Sequence, residues 1–222
     1  LGGDRQIGYA SPSLVQLCGV AQILIVNESS VSGHRLDSGE VIWSYPWRGQ
    51  SNAQANCSQA VVVSGDRVVL TNRRGSELIQ VIRAGDQKLE ADSVWLGRGK
   101  LKTKFTNVVV HKGYIYGLSD GLLECVELET GRRGWKSRRG DYGHGQILKV
   151  GDLLLVQAET GEVVLVELNP DELIELGRFA ALTELTWNTP CLYGSLLLVR
   201  NGSQAACYRL KLRADTLAAR DR

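Results

Sequence analysis

Five times along this chain of 222 residues a short apolar run meets a glycine-containing turn and reverses into a second apolar run. Leu14-Val-Gln-Leu17 passes Gly19 to reach Ile23-Leu-Ile-Val26, and Ala60-Val-Val-Val63 passes Gly65 to reach Val68-Val-Leu70. The same phrase returns at Val108 to Tyr116 through Gly113, at Ile147 to Val156 through Gly151, and at Cys191 to Val199 through Gly194. Glycine at such a turn supplies the backbone freedom a tight β-hairpin requires. The turn glycines recur about every 38 to 48 residues, room for four strands of roughly five residues with short connections. A repeat of this kind decides the architecture before any single site is considered.

Each hairpin is followed by a third strand that alternates apolar and polar residues, as in Leu122 to Leu128 and Val163 to Leu168. A fourth strand begins after a second turn, and in two places that turn is nearly the same. Leu36-Asp37-Ser38-Gly39 leads to Trp43, and Leu128-Glu129-Thr130-Gly131 leads to Trp135, with Trp four residues after the glycine both times. The acidic and hydroxyl side chains bond local backbone while the glycine relieves it. The unit predicts an all-β chain, a β-propeller of four-stranded antiparallel blades, because radial repetition protects sheet edges. A sandwich would not require so regular a unit. Repeats are expected at about 9–47, 53–98, 103–138, 142–178 and 182–212 of a single domain over 1–222, with a polar tail at 213–222. Asn169-Pro170-Asp171 reads either as the start of a helical turn or as the third turn of its blade.

The Asp37/Gly39/Trp43 and Glu129/Gly131/Trp135 turns resemble the tryptophan-docking motif of the pyrroloquinoline-quinone-like (quinoprotein-type) β-propeller repeat proteins. That family includes the propeller lipoprotein of the outer-membrane β-barrel assembly machine and quinone-dependent dehydrogenases. The resemblance covers roughly residues 9 to 212 and weakens at the enlarged turn before Trp95 and at Leu176-Gly177-Arg178, which lacks a Trp. It implies that the Trp of one blade packs on the next, a parent of seven or eight blades, and a bacterial periplasmic or cell-surface address. The chain contains no Met, which leads us to expect a piece of a longer protein. Leu1 to Ile7 could close a five-blade ring, but Gly2, Gly3, Asp4 and Arg5 form strands poorly, so an open arc is expected, with apolar end blades prone to self-association.

Dehydrogenases of the family hold the quinone and a calcium ion. This sequence has neither the vicinal cysteines that stack on the quinone nor a compact acidic set, so no cofactor, no metal and no catalysis are expected. The five cysteines are odd in number and widely spaced, which gives no disulfide framework or zinc motif and reads as small buried hydrophobes. Unpaired thiols also argue mildly against a strongly oxidising compartment. With 26 basic and 24 acidic residues the net charge is near zero, and no aromatic residues interleave with the basic ones, so nucleic acid is not an expected partner. Two basic stretches, Lys100/Lys102/Lys104 and Arg132 to Arg139, face either an anionic partner or plain solvent. No apolar run approaches the roughly 18 residues of a membrane-spanning helix.

Site candidates come from the residues that precede the first strand of each unit, where blades can differ without disturbing their packing. These are Asn56, Lys104, Asn107, Tyr142, His144, Trp187 and Asn188. Each reads as a ligand contact or as a capping residue. The expected function is a non-catalytic scaffold presenting these loops to a protein or small ligand, the alternative a fragment of a quinone-dependent dehydrogenase.

Overall fold

A computed structural model describes residues 8–49, 56–85, 88–138 and 142–211. Among the described residues nineteen strands make five antiparallel sheets in chain order, and there is no helix, hence none able to cross a membrane. The first sheet holds β1 (Ser13–Leu17), β2 (Val20–Val26), β3 (Ser30–Arg35) and β4 (Val41–Pro46). The second holds β5 (Val61–Val62), β6 (Arg67–Asn72), β7 (Gly75–Arg83) and β8 (Leu89–Arg98). The third holds β9 (Val109–His111), β10 (Tyr114–Ser119), β11 (Leu122–Glu127) and β12 (Arg133–Lys136). The fourth holds β13 (Gln146–Val150), β14 (Leu153–Gln157), β15 (Glu162–Glu167) and β16 (Ile174–Ala180). The fifth has three strands, β17 (Cys191–Tyr193), β18 (Leu196–Arg200) and β19 (Ala205–Arg209). The architecture is a partial β-propeller. Residues 169–173 form the turn between β15 and β16. The expectation about residues 1–7 lies outside the described residues.

The second strand of each blade is apolar at consecutive positions because both of its faces are covered. In β6, Val68 and Leu70 enter the core shared with the first blade, while Val69 enters the core shared with the third. In β10, Ile115 faces the second blade and Tyr116 and Leu118 face the fourth. In β14, Leu154 and Val156 face the third blade and Leu155 faces the fifth. The period of two in a strand sends neighbours to opposite faces, so every interior blade fills two interfaces at once. Burying each such side chain contributes about 1.5 to 3 kcal/mol.

Among the described residues the end blades have one covered face each. Leu17, Leu24 and Val26 of the first blade pack on the second, while Leu14 on the other face is 71% exposed. In the fifth blade Leu197 and Val199 pack on the fourth. Cys191, Leu198 and Cys207, which share one cross-strand row, are exposed, as is Tyr193. The reading of all five cysteines as buried hydrophobes therefore fails at Cys191 and Cys207, because the described residues place no blade over that face. Cys125, on a face covered by the fourth blade, is buried, and desolvation pushes its thiol up to about 12.

A β-bulge recurs at the same point of each fourth strand, and in the first three blades a Trp stands beside it. Trp43 lies opposite Gly33, Trp95 opposite Leu78, Trp135 opposite Cys125 and Gly177 opposite Leu165, each beside the bulge. Trp95 Nε1 donates to Leu128 O of the third blade at 2.8 Å, and Trp135 Nε1 donates to Asn169 O of the fourth at 3.0 Å. Trp43 is 3% exposed and packs in the core between the first two blades, but its Nε1 turns inward to Gln22 Oε1 at 2.6 Å. Gly131 lies under Trp95: a Cβ there would fall 2.6 Å from the indole Cδ2. Glu129 of the same turn accepts from Arg67 of the second blade, while Asp37 caps its own turn at the Ser38 amide, and Gly39 O accepts from His34 Nδ1.

Gly131 and Gly151 have similar positive φ, 65° and 61°, but nothing stands within 4 Å of the Cβ position at Gly151. Gly151→Ala should cost about 1 kcal/mol for the backbone alone. Gly131→Ala, which must also displace Trp95, should cost about 2 kcal/mol more. Urea unfolding of the two variants checks the difference, and equal losses would remove Trp95 from the junction.

Candidate functional site

Antiparallel meanders place three kinds of segment at one end of every blade: the lead into the first strand, the turn between the second and third strands, and the exit from the fourth. At that end the leads of the third, fourth and fifth blades meet. Lys104 Nζ donates to His144 Nε2 at 3.0 Å, so this ring nitrogen acts as acceptor. Phe105 meets the His144 ring edge-on, with centroids 5.5 Å apart, and lies 6.1 Å from Trp187. Glu159, in the turn between β14 and β15, accepts from the Trp187 indole at 2.6 Å and from the His144 amide at 3.0 Å.

The result is a pair of aromatic rings held in place yet open to solvent. Phe105 is 48% exposed, Trp187 51% and the neighbouring Leu185 62%. Asn188 follows Trp187 and is half-buried. Partial burial alone would raise the Glu159 carboxyl. The Trp187 indole, the His144 amide and the charge on Lys104 outweigh it and hold Glu159 below the ordinary glutamate value.

Lys104, His144 and Trp187 are thus brought together, with Asn188 next to Trp187 in the chain, whereas the other candidates sit elsewhere. Asn56 is buried and ties backbone: its Nδ2 donates to Asn27 O at 2.7 Å and to Trp47 O at 3.0 Å. Asn107 exchanges hydrogen bonds with Gln59, which also reaches Ser11 O and Ser13 Oγ, so the leads of three successive blades are stitched together. Tyr142 is buried in the core between the third and fourth blades, its hydroxyl unpartnered among the described residues, and desolvation raises its pKa. The basic stretches are largely engaged locally. Lys100 donates to Gly131 O, Lys102 pairs with Asp120, and Arg133 pairs with the buried Glu124.

Phe105, Glu159 and Leu185 were not among the sequence candidates. Phe105 carried a signal, being one of only two Phe residues and set among Lys-Thr-Lys and Thr-Asn. Glu159 carried a fainter one, as the acidic residue of a Glu159-Thr160-Gly161 turn.

The crystal structure of the computationally designed Ika8 protein superposes with a TM-score of 0.62 at 9% identity, over 85% of this chain and 55% of that one. That likeness speaks to fold alone. The chain spans little more than half the length of the designed protein. BamB from Moraxella catarrhalis aligns with a TM-score of 0.46 at 13% identity, over 84% of this chain and 68% of that one. No protein-family model and no curated protein matches the sequence. The calcium ion of the dehydrogenases does not fit the aromatic site: the Glu159 carboxylate is already engaged and stands near a lysine, whereas calcium takes six to eight oxygens. Among the described residues no three His, Cys, Asp or Glu side chains are grouped to hold a metal.

Because the Glu159 carboxyl lies below the usual 4.5, its bond to Trp187 should be fully present above that pH and lost only as pH falls through the depressed value. The fluorescence difference between the protein and Trp187→Phe should titrate with a midpoint below 4.5. A midpoint at or above 4.5 would contradict the arrangement.

Proposed function

We propose that the chain is a non-catalytic propeller scaffold that binds a protein through the loop end of its third to fifth blades. The observation that supports this most is the exposed Phe105–Trp187 pair, immobilised by His144 and Glu159. Aromatic side chains are enriched in the centres of protein interfaces, and a ring already fixed loses little further entropy on binding. Lys104 and Glu159 give the rim one charge of each sign next to the apolar centre. On the resemblance of the docking turns we assign the scaffold to the periplasm or surface of a bacterium.

A photo-crosslinking residue at Leu185 should give a discrete protein adduct in cells. One at Glu172, which is exposed at the opposite end of the fourth blade, should not. Phe105→Ala should change folding stability by less than about 1 kcal/mol, since the ring is half-exposed, and should weaken the partner's binding by about 2 kcal/mol as an interface anchor. Equal adducts at both positions, or quinone-dependent dye reduction by the purified protein, would contradict the proposal.

A further inference from the structure

A second feature lies at the same end of the molecule, across the first three blades. A cleft of about 560 Å³ is lined by Arg48, Arg73, Arg74, Arg98 and Lys102, with Trp47 and Leu96 among its apolar residues. Volumes of this order suit small-molecule ligands. Arg48 leaves the end of β4, Arg73 and Arg74 form the turn between β6 and β7, and Arg98 ends β8. Lys102 pairs with Asp120, but among the described residues none of the four arginines is in an ion pair, and all four are exposed.

Like charges gathered without counter-charges repel one another, so the backbone must hold them together. It does so through a chain of hydrogen bonds. Asn72 Nδ2 donates to Arg48 O at 3.0 Å, Asn72 Oδ1 accepts from the Arg74 amide at 2.8 Å, and Arg74 O accepts from the Gly99 amide at 2.9 Å. Asn72 is in turn fixed by donating to Asn56 Oδ1. Gly75 pairs in register with Arg98 across β7 and β8. Ser76, also in the cleft lining, has a buried hydroxyl without a partner among the described residues.

We propose that this cleft binds a small phosphate-bearing ligand with at least two negative charges. Arginine forks match phosphate oxygens bidentately, and four of them facing one cleft offer more donors than a single carboxylate can use. A concave site on a chain with a net charge of only +2 points to a compact polyanion rather than to the extended track of a nucleic-acid backbone. The proposal is independent of the aromatic site, whose residues the cleft does not share.

Inorganic pyrophosphate is the probe, titrated calorimetrically into the full chain. Wild-type protein should bind one equivalent saturably, and the Arg73→Ala/Arg98→Ala variant should bind at least tenfold more weakly at an unchanged melting temperature. Arg48→Gln should weaken binding on its own, which gives a second reading should the double variant misfold. Arg209→Ala, at an exposed position on β19, should bind as the wild type does. Citrate at equal concentration separates phosphate recognition from general attraction of anions and should bind more weakly. Absence of saturable binding, equal binding of citrate, or an equal loss in Arg209→Ala and the cleft variants would overturn the proposal.

Discussion

No blade of this protein has a core of its own. A four-stranded sheet is one layer thick, and its apolar side chains are removed from water only by the sheets on either side. Val68 and Leu70 point one way and Val69 the other, so the second blade exists as a filled gap between the first and the third. The same holds for Ile115 against Tyr116, and for Leu155 against Leu154. Stability of such a stack is a sum over neighbouring interfaces, which is why Leu14, Tyr193 and Leu198 of the end blades are exposed on faces that no other described blade covers.

The junctions are also what place the loops. Bulged fourth strands send Trp95 and Trp135 to carbonyls of the following blade, which fixes one blade's turn against the next. At the loop end, Gln59 and Asn107 stitch successive leads together, and Ser58 joins Thr103 and the Thr106 carbonyl. With the leads held in this way, Lys104, Phe105, His144 and Trp187 from three blades meet over Glu159. Asn72 holds the arginine-bearing segments of two blades in the same manner. Two chemically different surfaces, one aromatic and one cationic, thus rest on a single end of one scaffold.

The architecture was legible because burial on both faces writes consecutive apolar residues into every second strand, and the hairpin glycines punctuate them. Trp135 was legible as a docking residue by its distance from Gly131. Trp95 was not, because the turn before it is enlarged, although it makes the equivalent bond. Trp43 stands at the motif position, yet its indole is satisfied within its own sheet: Gly33 leaves the space, a Cβ there falling 2.3 Å from the indole nitrogen. At the loop end the sequence marks which segments gather but not which side chains face out. Tyr142 and His144 are two residues apart, one in the core and the other at the surface. Glu159, from a different kind of turn, joins them only through contacts across blades. The arginine cleft draws on three separated segments, so the basic stretch that holds Lys102 marked one side of it and no local run of charge marked the arginines.

The dependence of each blade on its neighbours is tested most directly by native-state hydrogen exchange resolved along the chain. Amides of β6, β10 and β14, between covered faces, should exchange only through global unfolding, while those of β17 to β19 should exchange through a local opening of lower free energy. Protection that is uniform across all five sheets would contradict this account, since it would mean that the fifth blade is held as firmly by one neighbour as the interior blades are by two.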